Sequence, residues 1–563
     1  MLAEPFRVGQ SMSMRLVRGA LALTLGLAVL VVGAPSSSAL AQTPVRVAIV
    51  VPLVVPAGTT GLVTAAELEQ YTAPSGLLSR QLDEVFGQPV AIAIDPMILV
   101  SIRVLGSSAP PSVLAWLDRL ARASNETFAL PYANSDMTLA TQAGSPRVIQ
   151  AISFDFAIDP SLFAVPAEQT PSPTPTPAGP ADEGAAPPLP TNEQLIEWSY
   201  SLSGVGWPAE NLVVSGDMSA LSAAFDTVLL ASDNVVRDAS AGATVDVAGT
   251  TAVVSDSAVS LALRGAVAAP TNSSWQVASA ALGDSIETAA LRQANSPTLL
   301  ATLDAATVED SNRLGETIDA LESTAGIALV PLADLVDNAP SAATLVDLPH
   351  DAARVATMAR LLAATSSETS FASILENPED LTAQRQLSLI ALTSVSWAER
   401  PAQWATSTSV FLARSKDILR AVQIVESSSF NFLADSASLP ISVRNDLDHT
   451  VTVYISVQPQ TALLAVGDSR VKLVIEPNSQ GKGQVPVAAI SNGTVEVVIS
   501  LSSATGVAIG QPTSALINVQ AGWETPIVLI FAALVFAVFA VGIVRRIVRG
   551  RKTVAPSSEP SDD

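Results

Sequence analysis

The side chains best placed to do chemistry in this chain are aspartates that close short apolar runs. Asp95 follows Val90–Ile94 and precedes Pro96, which holds it extended. Asp304 closes the run from Thr298, and Asp136 ends the segment Leu130–Asp136, beside Tyr132. Ser215 with Asp217, Asp233 and Asp256 stand in similar places. Two carboxyl groups held about 5–10 Å apart, one an acid and the other a base or nucleophile, are what glycoside hydrolysis requires. Asp95 paired with Asp304 or Asp136 is therefore the candidate catalytic set. The same positions have a structural use, because aspartate after a strand starts turns and caps the next helix.

Other chemistries lack their residues. The chain has no cysteine, which removes disulfides, thiol catalysis and lipoprotein anchoring. Its two histidines, His350 and His449, are too few for a His-rich zinc site, and they read as junction and turn residues. No G-x-S-x-G elbow, Walker A loop or G-x-G-x-x-G turn occurs, so neither a serine hydrolase nor a nucleotide enzyme is expected. No cofactor or metal is called for. A net charge of −23 opposes binding to nucleic acid or to an anionic lipid surface. Aromatic residues are sparse, leaving Trp207 and Trp275 as the loop candidates for stacking on a sugar, with core packing as the alternative for both.

The elements that must position these aspartates alternate in type. Val45–Pro56 is an unbroken apolar run that fits a strand buried on both faces. Val90–Ile94, Thr127–Leu130, Asn211–Ser215, Thr227–Ser232, Thr251–Asp256, Thr298–Asp304 and Gly326–Leu332 repeat the theme. Helical patterns lie between them: a capping box at Thr64–Glu67, a Leu114/Leu117/Leu120 face, and Asn312–Ser323 with Leu314, Ile318 and Leu321. Strands alternating with helices predict a mostly parallel sheet over 42–345, either a (β/α) barrel or a doubly wound open sheet. A Pro-rich insertion at 166–190 interrupts it and reads as a surface loop, or else as a domain boundary.

Residues 346–428 read as helical, with the last helix over Ser409–Val425. From 429 to 522 the apolar period becomes two, as in an immunoglobulin-like β-sandwich. Both ends are hydrophobic. Residues 1–41 form a signal peptide, with a basic start near Met14, an apolar core and Ala39-Leu40-Ala41. Residues 526–544 form a transmembrane helix, followed by Arg545, Arg546, Arg549, Arg551 and Lys552. That basic cluster places the 545–563 tail in the cytoplasm and the ectodomain outside the cell membrane.

The order of several motifs resembles a family of large actinobacterial envelope proteins of unknown function, often encoded beside the lipid II flippase. The motifs are the opening VVPLVVP, the strand ending in AIDPMI, LPYANSD at Leu130–Asp136, WPAENLV, Ser396-Trp397, and LPISVRNDLDHTVTVYISV. The resemblance implies a single-pass, outward-facing envelope protein whose α/β region is similar to glycan-active barrels, and it carries over no catalytic residue. The expected function is a non-enzymatic scaffold or partner in peptidoglycan assembly. The alternatives are a carboxylate-dependent glycan-active enzyme and a glycan-binding module. The expected partners are cell-wall glycan or a membrane protein of peptidoglycan synthesis.

Overall fold

The computed structural model describes residues 43–163, 189–293, 297–307, 313–425, 429–432, 436–519 and 524–550. The expected signal peptide, most of the Pro-rich insertion and the tail from 551 onward lie outside the described residues.

The first region is built on β1 (Val45–Leu53), β2 (Ala91–Ile94), β3 (Thr127–Ala129), β4 (Val205–Gly206), β5 (Thr227–Ala231), β6 (Val235–Arg237), β7 (Thr244–Val247), β8 (Thr250–Ser255), β9 (Thr298–Thr302), β10 (Ile327–Leu329) and β11 (Ser341–Leu345). Seven of these follow one another in parallel in the order β3-β2-β1-β9-β8-β5-β4. The two ends of that series meet, because Leu202 N–H donates to Thr127 O (3.0 Å) and Thr127 N–H donates to Ser201 Oγ (2.7 Å). The remaining strands make the sheet mixed: β7 runs antiparallel to β8, β11 parallel to β7, and β6 antiparallel to β11.

Side-chain size explains how the ring fills. Ala48, Ala91, Ala93, Phe128, Val205, Leu229, Val253 and Leu300 form one buried cluster to which all seven strands contribute. Small residues on β1 and β2 leave room for Phe128, as a close-packed interior requires. The alternate residues Val47, Ile49, Val51 and Leu53 turn outward and pack with helical side chains such as Leu82, Ile98 and Leu263. A strand buried on both faces reads as a continuous apolar run, which is why β1 does.

Helices α1 (Ala65–Thr72) and α2 (Leu77–Val85) follow β1, α3 (Pro96–Arg103) and α4 (Pro111–Ala121) follow β2, and α5 (Met137–Gln142) follows β3. Then come α6 (Asn192–Ile196), α7 (Met218–Ala224), α8 (Ser257–Val267), α9 (Asn272–Leu291), α10 (Leu314–Glu322) and α11 (Ala333–Val336). The Thr64–Glu67 capping box opens α1 as predicted.

Three longer helices follow: α12 (Ala352–Phe371), α13 (Glu379–Leu392) and α14 (Pro401–Leu419). Met358, Leu361, Leu389, Trp397, Trp404 and Phe411 pack with Leu139 and Ala140 of α5, so this core is shared with the α/β region. Inside it Glu368 receives a two-point pair from Arg385, whose guanidinium lies 3.7 Å from the Phe411 ring centre.

The remaining strands are β12 (Val422–Ile424), β13 (Ser429–Phe432), β14 (Ser436–Asn445), β15 (Val451–Pro459), β16 (Leu464–Val466), β17 (Val471–Ile475), β18 (Ser479–Ala489), β19 (Gly493–Ser502) and β20 (Ala508–Val519). They form a four-stranded sheet, β12-β14-β18-β16, and a five-stranded sheet, β13-β20-β19-β15-β17. Val443 and Val485 from the first meet Val453, Val495 and Ile517 from the second in one core. Alternate residues of β15 are buried, as its period of two predicts. Helix α15 (Glu524–Gly550) contains Ile527–Arg549, long and apolar enough to cross a bilayer and compatible with a single-pass anchor.

Three local expectations are corrected. Asn211–Ser215 is an irregular strap anchored by the buried Val213 rather than a strand, and β4 takes the place in the ring. Asn211 has φ +58°, Val213 O accepts from Leu348 N–H and the Asn234 amide, and Val214 N–H donates to Asp217, so the ladder positions are taken. The buried face of α4 is Val113, Trp116 and Leu120, while Leu114 is half exposed, because the Trp116 indole reaches Leu78 O (3.0 Å) and sets the rotation. The Ser409–Val425 pattern is the end of α14 followed by β12, with Phe411, Ser415 and Ile418 on the inner face of the helix.

Candidate functional site

The loops at the C-terminal ends of β3, β4 and β9 surround a cavity of about 410 Å³, completed by residues 350–354 and 395–399. Asp136 and Asp304 both line it, with Asn134, Trp207, Glu210, His350, Arg354 and Glu399. Asp95 does not line it. It is 1% exposed and caps α3, its Oδ1 accepting from Met97 N–H (2.9 Å) and Ala133 N–H (2.9 Å). The second bond is needed because Ala133 and Asn134 both sit at positive φ, which side-chain-bearing residues adopt only when held there. Burial pushes the Asp95 carboxyl up to about 7, against the lowering effect of the N–H groups of Met97, Ala133 and Asn134.

Asp136 caps α5: Oδ1 accepts from Thr138 N–H (3.1 Å), Leu139 N–H (3.2 Å) and Thr138 Oγ1 (2.9 Å). Its other oxygen lies 3.2 Å from His350 Nε2, which also meets Thr138 Oγ1 at 3.0 Å. Burial alone would raise the Asp136 carboxyl. The hydrogen bond and charge of His350, with the Thr138 and Leu139 bonds, outweigh it and hold the group below the usual carboxylate value. The loop is fixed from the helical side as well, by Asp136 N–H donating to Thr393 O (2.8 Å).

Asp304 is half-buried in a turn of its own making. Its carboxylate accepts from Ala306 N–H (2.8 Å) and Thr307 Oγ1 (3.0 Å), and Asn134 donates to the neighbouring Ala305 O (2.7 Å). Glu210 is neutralised by Arg264 (2.7 Å), which also holds Thr302 O at the end of β9. Arg354 lies over the Trp404 ring, its Cζ 4.8 Å from the ring centre, and among the described residues its guanidinium has no hydrogen bond or ion pair. Burial lowers the Arg354 basicity and the charge of Asp136 partly restores it.

The remaining predicted positions are accounted for locally. Asp256 caps α8, Asp217 accepts from Val214 N–H and Gln142, and Ser215 is tied to Asp347. Asp233 is exposed in a short turn after β5. Trp275 donates to Thr317 Oγ1 (3.0 Å) on a neighbouring helix. Trp207 forms a wall of the cavity. His449 lies beside Asp448 in the second β-region. Sequence reasoning placed His350 at a junction without its partner and missed Arg354, Glu210 and Arg264 altogether. No motif marks these residues, which meet only through the fold. A larger groove of about 630 Å³, between α12, α14, β12 and β20, holds Lys416 and Arg420 but no carboxylate or histidine.

These features define a multidomain α/β protein with two further β-sheets, one apolar C-terminal helix, and a polar cavity where strand-end loops converge. The chain belongs to a family of unknown function (DUF6049), whose profile matches residues 27–562. No curated protein matches it. Among solved structures it is similar to the α-amylase AmyC from Thermotoga maritima, at 10% identity over 67% of this chain and 93% of that one, TM-score 0.41. Shorter likenesses are to WR4, a C. elegans MSP family member (9% identity, 18% of this chain, 98% of that one, TM-score 0.14), and to native alpha-2-macroglobulin from Escherichia coli (20%, 18%, 16%, 0.15). None of these likenesses bears on function.

Proposed function

We propose that the protein is a non-enzymatic, single-pass envelope protein that serves as a scaffold or partner in peptidoglycan assembly. The α/β region, read as a barrel, stands outside the membrane on a helical segment and an immunoglobulin-like stalk. The observation that carries this reading is the state of the three candidate carboxylates. Asp95, Asp136 and Asp304 each accept backbone N–H groups, and Asp136 is further held by Thr138 and His350. Groups committed to caps and turns hold the loops in place, a structural use of the strand-end position. The basic cluster after Val544 supports an outward ectodomain. The resemblance to actinobacterial proteins encoded beside the lipid II flippase supports the wall-assembly setting.

The second reading is a glycan-active enzyme, and it rests on Asp136 and Asp304 lining one cavity. The two are separated by incubating the full-length protein with purified wall sacculi and following released fragments by mass spectrometry, beside Asp304→Asn. The non-enzymatic reading expects no fragments, together with a membrane protein of wall synthesis captured by crosslinking in cells. Fragments that vanish in the variant would overturn it.

A further inference from the structure

The charge and hydrogen-bonding character of the cavity restrict what can fill it. Its walls carry five carboxylates, Asp136, Glu210, Asp304, Asp351 and Glu399. Asp136 faces His350 and Glu210 is paired with Arg264, so among the described lining residues Arg354 alone stands against Asp304, Asp351 and Glu399. An anion such as phosphate or a uronate would gain one guanidinium and meet three carboxylates that have hydrogen bonds at most and no cationic partner, an unfavourable exchange at these ranges. The polar groups are also of both kinds. The Arg354 guanidinium offers only donors, whereas Asp304 and Glu399 offer only acceptors. A ligand satisfying both must donate and accept, carry no net negative charge, and tolerate the apolar face of Trp207. Hydroxyl groups on a ring do all three, and the volume falls within the usual range of small-ligand pockets, about 300–1,000 Å³.

We infer that this cavity is a binding site for a neutral or cationic saccharide unit, with Arg354 donating to ring hydroxyls, Asp304 and Glu399 accepting from them, and Trp207 covering an apolar ring face. His350 and Asp136 act as positioning residues, since their bonds lock the loop that carries Asn134, whose amide donates to Ala305 O beside Asp304. The inference rests on the non-enzymatic reading, in which the sugar is held and not cut.

The test is calorimetric titration of the full-length protein in nanodiscs of neutral lipid. The probes are chitotetraose, its fully de-N-acetylated cationic form, and tetragalacturonate. Chitotetraose or its cationic form should bind, tetragalacturonate should not, and Arg354→Gln and Asp304→Asn should each weaken binding about tenfold or more, the worth of one charge-assisted hydrogen bond. Glu399→Gln, on an exposed side chain, keeps the test open should either variant fail to fold. Tighter binding of tetragalacturonate, no binding of any probe, or affinity indifferent to all three substitutions would overturn the site. Mass spectrometry of the recovered sugar separates the two claims. Cleaved probe would sink the non-enzymatic reading and leave the site standing, whereas intact but unbound probe would sink the site alone.

Discussion

His350 Nε2 lies 3.2 Å from Asp136 Oδ2, with both side chains 2% exposed, and this contact joins the loop after β3 to the entrance of α12. Removing the imidazole leaves a buried carboxylate without its partner. His350→Ala should therefore destabilise the protein by about 3–5 kcal/mol, read by urea unfolding. Asp136→Asn should cost less, because the amide oxygen still accepts from Thr138 and Leu139. The Asp136 carboxyl is held low, so its contribution is present above its unfolded value and is lost as pH falls through the folded one. The wild type should lose this increment on acidification and Asp136→Asn should not.

Asp95 has the opposite sign. Its folded value is raised to about 7 from 3.8, so the stability linked to its proton is full below about pH 4 and is lost as pH rises through 7. Asp95→Asn should abolish a slope of roughly 1.4 kcal/mol per pH unit in that window. Thermal unfolding of both proteins between pH 4 and pH 8 checks it. Parallel curves would show that Asp95 ionises as freely in the fold as out of it.

Within the helical core, Arg385→Ala should cost about 3–5 kcal/mol, since it strands the buried Glu368 and bares the Phe411 ring. Replacing both residues by packed apolar side chains should recover much of the loss. Chemical denaturation of the single and double variants measures it.

Gly61 sits at φ +76°, and a Cβ there would stand 2.7 Å from Leu387 O on α13. Its own carbonyl accepts from the Tyr132 hydroxyl (2.7 Å). Gly61→Ala should destabilise by about 1–3 kcal/mol through forced backbone movement, visible as a lowered unfolding temperature.

The elements that carry their own periodicity were legible from sequence. Val45–Leu53 reads as a doubly buried strand, Thr64 and Glu67 announce a helix start, and the alternation in Val451–Pro459 marks a half-buried strand. Asn211–Ser215 misled because apolar composition reports burial and not hydrogen bonding, and its central carbonyl, Val213 O, is claimed by Asn234 and Leu348. β4 escaped notice because two residues, Val205 and Gly206, carry no period. At the cavity, the aspartates were visible as strand-end residues, but their state was not. Whether Asp136 is free or paired depends on His350, far along the chain, and nothing local to either residue encodes the meeting.

The pairing of β1 has a consequence for how the chain acquires its structure. Arg46 pairs with Thr298 on one edge and Val45 with Ile327 on the other, so the first strand finds its β9 neighbour, and the β10 neighbour of its opening residues, only near the far end of the α/β region. Synthesis proceeds from the N-terminus, and throughout that interval β1 is an apolar strand with an open edge, the kind of segment that recruits foreign strands. Closure of the ring is a contact of very high sequence separation, and such contacts form slowly. The nascent protein is most exposed to aggregation before Thr298 arrives, and a holdase that covers Val45–Leu53 during that delay would raise its yield.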